Sequence, residues 1–269
     1  MLKGFLMRKP TPFTISPSPK FLYITPTIES TMNKIRHVVD YGQGLTSIMG
    51  DIGLGKSTLV RYLIDEFMER EDVVVAAILS PTYPTDFAFL KAICGEFGLA
   101  PKRSLIKQEQ ELREFLVNLD SEDKTAVLFI DEAQRLKGVQ LELIRTLLNF
   151  ETADNKLIQI ILCGQLELRT KLMDPSKKAL RSRILLPSLL APLSPEETSA
   201  MVVFRCEKAG FESPFSEEVL REIYDKSGGV PREVLKICQV MFAEGRKLGV
   251  SYFPADWVTP VADEVTLNG

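Results

Sequence analysis

The chain has 269 residues, 45% hydrophobic and 26% charged, which is enough for a full α/β core plus one smaller domain. Its net charge of -3 excludes a global basic field that would draw it onto nucleic acid or anionic lipid, leaving only local basic patches. The four cysteines, Cys94, Cys163, Cys206 and Cys238, form no Cys-x-x-Cys pair and His37 is the one histidine, so a zinc site, a disulfide framework and histidine catalysis are all disfavoured.

The cysteines read instead as core thiols of a reducing cytoplasm. The longest apolar run, Val73 to Leu79, falls far short of the roughly 20 residues that span a bilayer. Met1 to Lys9 holds no signal-peptide core, and a cytoplasmic location is expected.

From Pro10 to Pro26 the prolines recur too often for a helix. Phe13, Phe21, Leu22, Tyr23 and Ile24 are nevertheless too apolar for a free linker, so an extended arm stapled onto the core is expected. Thr25-Pro26 then opens a helix with Ile28, Met32, Ile35 and Val39 on one face, ending near Gly42. Leu45-Thr46-Ser47-Ile48-Met49 reads as a buried strand. It runs into Gly50-Asp51-Ile52-Gly53-Leu54-Gly55-Lys56-Ser57-Thr58, a match to the phosphate loop, and Leu59, Val60, Leu63, Ile64 and Phe67 continue as a helix.

Strand, glycine loop and helix thus stand in the order that phosphate binding requires. Glycines let the backbone curl so that its N–H groups face an anion, and the helix adds the positive end of its dipole. Lys56 can reach the β- and γ-phosphates of ATP, and the Ser57 hydroxyl can ligate Mg²⁺.

A second strand, Val73 to Leu79, is followed by a helix from about Thr85 to Phe97. Next comes a loop from Gly98 to Lys107 carrying Lys102, Arg103 and Lys107, then a helix from about Gln108 to Leu119. The basic loop is either a solvated charge run or a grip on a DNA backbone, with Lys177, Lys178 and Lys137 as further cations. A third strand, Ala126 to Ile130, runs into Asp131-Glu132. There Asp131 can hold the Mg²⁺ water shell and Glu132 can orient the water that attacks the γ-phosphate.

After an amphipathic helix, Val139 to Phe150, a fourth strand, Leu157 to Cys163, ends in Gly164-Gln165. Gln165 is either a turn residue or a polar contact to the attacking water and the γ-phosphate. Lys177 to Arg183 leads into a last strand, Ile184 to Leu189. The alternating pattern specifies an α/β fold, a doubly wound parallel sheet.

Beyond Pro192 only helices are expected: Ser194-Pro195-Glu196-Glu197 opens one to about Ala209, a second runs from Ser216 to Ser227, and a third from Pro231 to about Leu248. Arg232 lies in the first turn of the third, where the dipole disfavours a cation. Either Glu233 or a nucleotide phosphate would relieve it. Ser251 to Gly269 is a weakly patterned tail.

These passages resemble the AAA+ ATPases and, within them, the ExeA-like group with its TnsC-like and TniB-like relatives from transposition systems. The likeness rests on Pro12 to Tyr23, on Phe129-Ile130-Asp131-Glu132-Ala133-Gln134-Arg135-Leu136 as the Walker B passage, and on Leu162-Cys163-Gly164-Gln165-Leu166-Glu167-Leu168 as the sensor 1 passage. It implies a P-loop core with a small C-terminal helical lid. Gln165 would be sensor 1, Arg232 in Gly229-Val230-Pro231-Arg232 sensor 2, and Arg183 or Arg181 an arginine finger. The expected division is 1–44 arm and helix on the core, 45–190 ATPase core, 191–250 lid and 251–269 tail.

Secretion-type members continue into a transmembrane helix and a wall-binding domain, whereas this sequence stops after the tail. The expectation is therefore a cytoplasmic ATPase that assembles with itself as a ring or filament on double-stranded DNA, and that signals to a transposase or recombinase through an adaptor. The rivals are a small-molecule kinase, a secretion or remodelling accessory ATPase without DNA, and a scaffold for which ATP binding alone matters.

Overall fold

The structure, a computed structural model, describes residues 12–153, 155–250 and 253–266, so the start of the expected arm and parts of the expected tail lie outside it. The described residues separate into a sheet unit, Pro26–Ile52 with Lys56–Ala191, and a helical unit comprising 12–25, Gly53–Gly55 and the described residues from Pro192 onward.

The sheet unit runs α1 (Pro26–Asp40), β1 (Leu45–Met49), α2 (Lys56–Met68), β2 (Val73–Ile78), α3 (Asp86–Glu96), α4 (Leu105–Ser121) and β3 (Thr125–Ile130). It continues with α5 (Gly138–Leu147), β4 (Ile158–Gly164), α6 (Leu166–Met173), α7 (Lys178–Arg181) and β5 (Ser188–Leu189). The strands lie in the order β2-β3-β4-β1-β5, all parallel, with Ile48 opposite Cys163 and Phe129 opposite Ile161. Every residue of β1 and β4 is buried, as expected for strands covered on both faces.

Alternation along the strands sorts the two layers. Leu128, Ile130, Ile160 and Leu162 join Phe89, Leu112, Ile144 and Leu168 from the helices of one face. The intervening Phe129 turns to the other face, its ring 6.1 Å from Phe67 of α2. The α/β doubly wound parallel sheet expected from the strand pattern is therefore the observed fold.

Three expectations change in this unit. The helix placed at Gln108 begins at Leu105, because the Ser104 hydroxyl accepts from the Lys107 N–H and caps it, so Lys107 belongs to a first turn rather than to a loop. The strand placed over Ile184 to Leu189 shrinks to Ser188–Leu189 and a single bridge from Ile184 to Leu45. Between them Leu186 takes a positive φ of 49°, which no ladder accommodates. Leu166 to Met173, not assigned to any element, form α6.

The helical unit holds α8 (Pro195–Ala209), α9 (Glu217–Ser227), α10 (Pro231–Leu248) and α11 (Val258–Thr266). Ser194 and Glu197 exchange capping bonds of 3.1 and 3.0 Å at the head of α8. Gly228 and Gly229 close α9 at φ 59° and 69°. A side chain at Gly229 would run into the Leu193 carbonyl, while the Leu193 N–H donates to the Gly229 carbonyl at 2.9 Å. The described part of the weakly patterned tail belongs to this unit: Phe253, Val258, Val261 and Ala262 are buried among Leu220, Cys238 and Met241.

The arm also belongs here, not to the sheet unit, and the reason is Arg205. This buried guanidinium donates to the carbonyls of Pro12, Phe21 and Thr14 at 2.6, 3.0 and 2.9 Å, and Phe13 packs its ring 5.6 Å from Phe242. Gly53–Gly55 join the same unit. The Arg232 N–H donates to the Gly53 carbonyl at 3.1 Å, and a Cβ on Gly53 would sit 2.8 Å from Val230.

Candidate active site

The strand order creates the location. β1 leads toward β2 on one side and β4 toward β5 on the other, so the chain departs in opposite directions from neighbouring strands and leaves a crevice at their carboxyl ends. Three functional segments emerge at this edge: Gly50 to Ser57 after β1, Asp131-Glu132 after β3 and Gln165 after β4.

The glycine loop is built for a close backbone approach. Gly53 and Gly55 have φ of 84° and 86°, and no atom lies within 4 Å of where a Cβ on Gly55 would stand. Asp51 accepts the Ile52 N–H at 2.7 Å and steadies the turn.

Lys56 is the first residue of α2, where the helix dipole opposes a cation, yet only 7% of it is exposed. Its Nζ donates to the carbonyls of Gly50 and Asp51 at 2.9 and 2.6 Å. Burial pushes its pKa down from the ordinary lysine value, while Cys163, Glu132, Asp131 and Asp51 pull the other way. A cation held against a dipole by carbonyls alone fits the site of an anion. Its loop, lysine and Ser57 match what a nucleotide triphosphate requires.

Asp131 is 4% exposed, its N–H donates to the Ile78 carbonyl at 2.9 Å, and its Oδ1 accepts the Glu132 N–H at 2.8 Å. The Cys163 thiol hydrogen-bonds this carboxylate from β4. Burial first, and then the negative charge of Asp131, hold the thiol well above its ordinary pKa, so it stays a proton donor. The Asp131 carboxylate and the Ser57 hydroxyl are oxygen donors of the kind that Mg²⁺ takes. Among the described residues no cluster of three His, Cys, Asp or Glu side chains competes as a metal site.

Glu132 has left-handed backbone, φ 52° and ψ 34°, a conformation that costs a residue with a Cβ about 1–3 kcal/mol and persists only where neighbours enforce it. Its Oε2 accepts from Gln134 Nε2 at 2.7 Å and lies 3.9 Å from Arg135 Nε. Gln165, half-buried, stands at the N-cap position of α6 without a side-chain capping bond, and its N–H donates to Gln134 Oε1 at 3.1 Å. The strands thus bring Lys56, Asp131, Glu132 and Gln165 to one edge. Gln134, which joins two of them, went unassigned in the sequence reading; a polar residue two positions past Glu132 was the available signal.

The remaining expected residues lie elsewhere. Arg181 Nη1 caps α6, donating to the Leu172 and Met173 carbonyls at 3.2 and 3.0 Å. Arg183 donates to Asn149 Oδ1 at 2.9 Å and to the Ala179 carbonyl at 3.2 Å. Arg232 is exposed in the helical unit, and Glu233 is not its partner, since both of its oxygens accept from Lys236 at 3.0 and 3.1 Å. Lys102 forms a 2.8 Å ion pair with Glu111, reached from the first turns of α4, so the basic segment keeps Arg103 and Lys107 as its exposed cations. Cys94, Cys163, Cys206 and Cys238 are all buried and free, and no helix among the described residues is long and apolar enough to cross a membrane.

A family model described as an AAA domain matches residues 39–172. The chain is 36% identical over 230 residues to General secretion pathway protein A of Aeromonas hydrophila, a match that takes in 84% of this chain and 42% of that protein. The chain therefore spans less than half the length of this relative. Among solved structures it is similar to the ORC2 protein of Aeropyrum pernix, with TM-score 0.67, 18% identity and coverage of 93% of this chain and 72% of that one. It is similar also to Cdc6p of Pyrobaculum aerophilum, with TM-score 0.68, 18% identity and coverage of 90% and 67%. The RuvB Holliday junction branch migration motor of Thermotoga maritima follows at TM-score 0.56, 17% identity and coverage of 88% and 68%. At these identities the structural likeness is one of fold.

Proposed function

We propose that this chain, whose residues 39–172 carry an AAA domain, is an ATP-hydrolysing switch of the ExeA-like group that serves a protein-secretion or remodelling assembly from the cytoplasmic side. The observation that carries the chemistry is the buried Lys56 ammonium at the head of α2, with Asp131 and Glu132 acting on it from β3. Bound ATP with Mg²⁺ supplies the phosphoanhydride to be cleaved and the charge that the loop neutralises. Lys56 holds the β- and γ-phosphates together with the backbone N–H groups of Gly50 to Thr58. Ser57 and Asp131 hold the metal, and Glu132 orients water and takes its proton. Gln165 contacts that water, Arg232 reads the nucleotide, and Arg183, or else Arg181, acts on the nucleotide of a neighbouring copy in a homo-oligomer.

The biological setting rests on the 36% identity to a general secretion pathway protein, which favours that client over a DNA-bound transposase regulator. The Lys102–Glu111 pair weakens the DNA reading independently, since it removes one of the three cations on which that reading stood.

The test is ATP turnover by wild type, Lys56→Ala and Glu132→Gln. Lys56→Ala loses nucleotide affinity, whereas Glu132→Gln keeps affinity and loses about a hundredfold in turnover, or about 2.7 kcal/mol of barrier. Wild-type turnover no faster than that of Glu132→Gln defeats the hydrolytic reading.

A further inference from the structure

Gln134 spans the ends of two strands. Its amide has a donor end and an acceptor end, and each meets its complement: Nε2 donates to Glu132 Oε2 at 2.7 Å, and Oε1 accepts from the Gln165 N–H at 3.1 Å. The opposite amide orientation would set oxygen against carboxylate and NH₂ against N–H, so the two partners fix the assignment. Gly164 makes the room, because a Cβ there would stand 2.9 Å from Gln134 Oε1. Lys171 of α6 pins the turn from outside by donating to the carbonyls of Gln134 and Leu136.

These contacts occupy one carboxylate oxygen of Glu132, and no described hydrogen bond takes Oε1. From them we infer that Gln134 is a positioning residue for hydrolysis. It holds the Glu132 carboxylate with Oε1 turned to the attacking water, and it ties that aim to the end of β4, where Gln165 sits. A shift of the Gln165 backbone then moves the general base through a single side chain. The inference rests on the hydrolytic reading above and deepens it.

The experiment is a double-mutant cycle with Gln134→Met, similar in length but without either hydrogen bond, and Glu132→Gln. Gln134→Met should lower kcat about tenfold or more while leaving KM, binding of a fluorescent ATP analogue with Mg²⁺, and the thermal midpoint unchanged. In the Glu132→Gln background the same substitution should cost nothing further, because the group it aims is already gone. Gln134→Ala, run in parallel, must show the same split.

A kcat within twofold of wild type, a raised kcat, or an equal loss in the Glu132→Gln background overturns the role. So does a loss that appears in KM or in stability, which would mark Gln134 as structural. If wild type hydrolyses no faster than Glu132→Gln, it is the ATPase reading itself that fails, and this role falls with it.

Discussion

Replacing Arg205 by methionine tests what holds the arm. The guanidinium is 5% exposed, has three carbonyl partners and lies 4.9 Å from the centre of the Phe21 ring. Three hydrogen bonds from a charged donor are worth about 1.5–3 kcal/mol each, a gross loss of about 5–9 kcal/mol. Against that, burial pushes the guanidinium pKa from its ordinary value down to about 10, which corresponds to about 3 kcal/mol against the charged form that methionine no longer bears. The net expectation is a destabilisation of about 2–6 kcal/mol, confined to the helical unit.

Hydrogen exchange of the arm amides, read beside urea unfolding, checks it. Residues 13–24 should lose protection first, while amides of β1, β3 and β4 stay unchanged. Arg205→Lys should recover little, since one ammonium cannot address three carbonyls at fork geometry. A loss below about 1 kcal/mol, with the arm still protected, would refute the argument and leave Phe13 as the true anchor.

Gly229→Ala combines a φ of 69° with a collision against the Leu193 carbonyl, so the thermal midpoint should fall by more than for an ordinary left-handed glycine, a loss of about 3 kcal/mol or more in a melt. Arg183→Ala should bind ATP normally and hydrolyse it about 10³-fold more slowly, with wild-type turnover per subunit rising with protein concentration; flat turnover in the monomeric range removes the role in trans. Under the secretion reading, duplex DNA should leave turnover unchanged. Lys102→Ala with Arg103→Ala should leave the salt dependence of any residual DNA binding unaltered, and a slope flattened by about two contacts would restore the DNA reading.

The parts of the molecule that were legible are those whose causes are local. β1, β3 and β4 are largely apolar runs because both faces are covered, and the phosphate loop needs its glycines within eight residues. The Ser194 box and the Gly228 stop likewise carry their own partners. Boundaries failed where one side chain tipped a balance, as Ser104 did by capping α4 and Leu186 by leaving β conformation. α11 was missed because its reason is distant: the Phe253 ring leading into it seats on the bare face of α10 at Gly245, a pairing that no window of the tail contains.

The arm shows the same limit more sharply. Its apolar residues forecast that it would dock, but not where, since the group that receives it is Arg205, and a lone arginine in an amphipathic helix reads as surface. Lys102 errs the other way, a cation that reads as free and is paired with Glu111 nine positions on. Both mistakes assume that charge stays with water unless an opposite charge is adjacent in sequence. The proposed nucleotide site asks for the opposite: under that reading Lys56 is to be buried and without a hydrogen-bonded carboxylate, and both conditions hold. A buried cation satisfied by carbonyls therefore has two meanings in this chain. In Arg205 three carbonyls of the arm close around a forked donor and leave no opening. In Lys56 the two carbonyls belong to the loop itself, beside a glycine with open space where a Cβ would be, so the ammonium can exchange them for phosphate oxygens without breaking the fold.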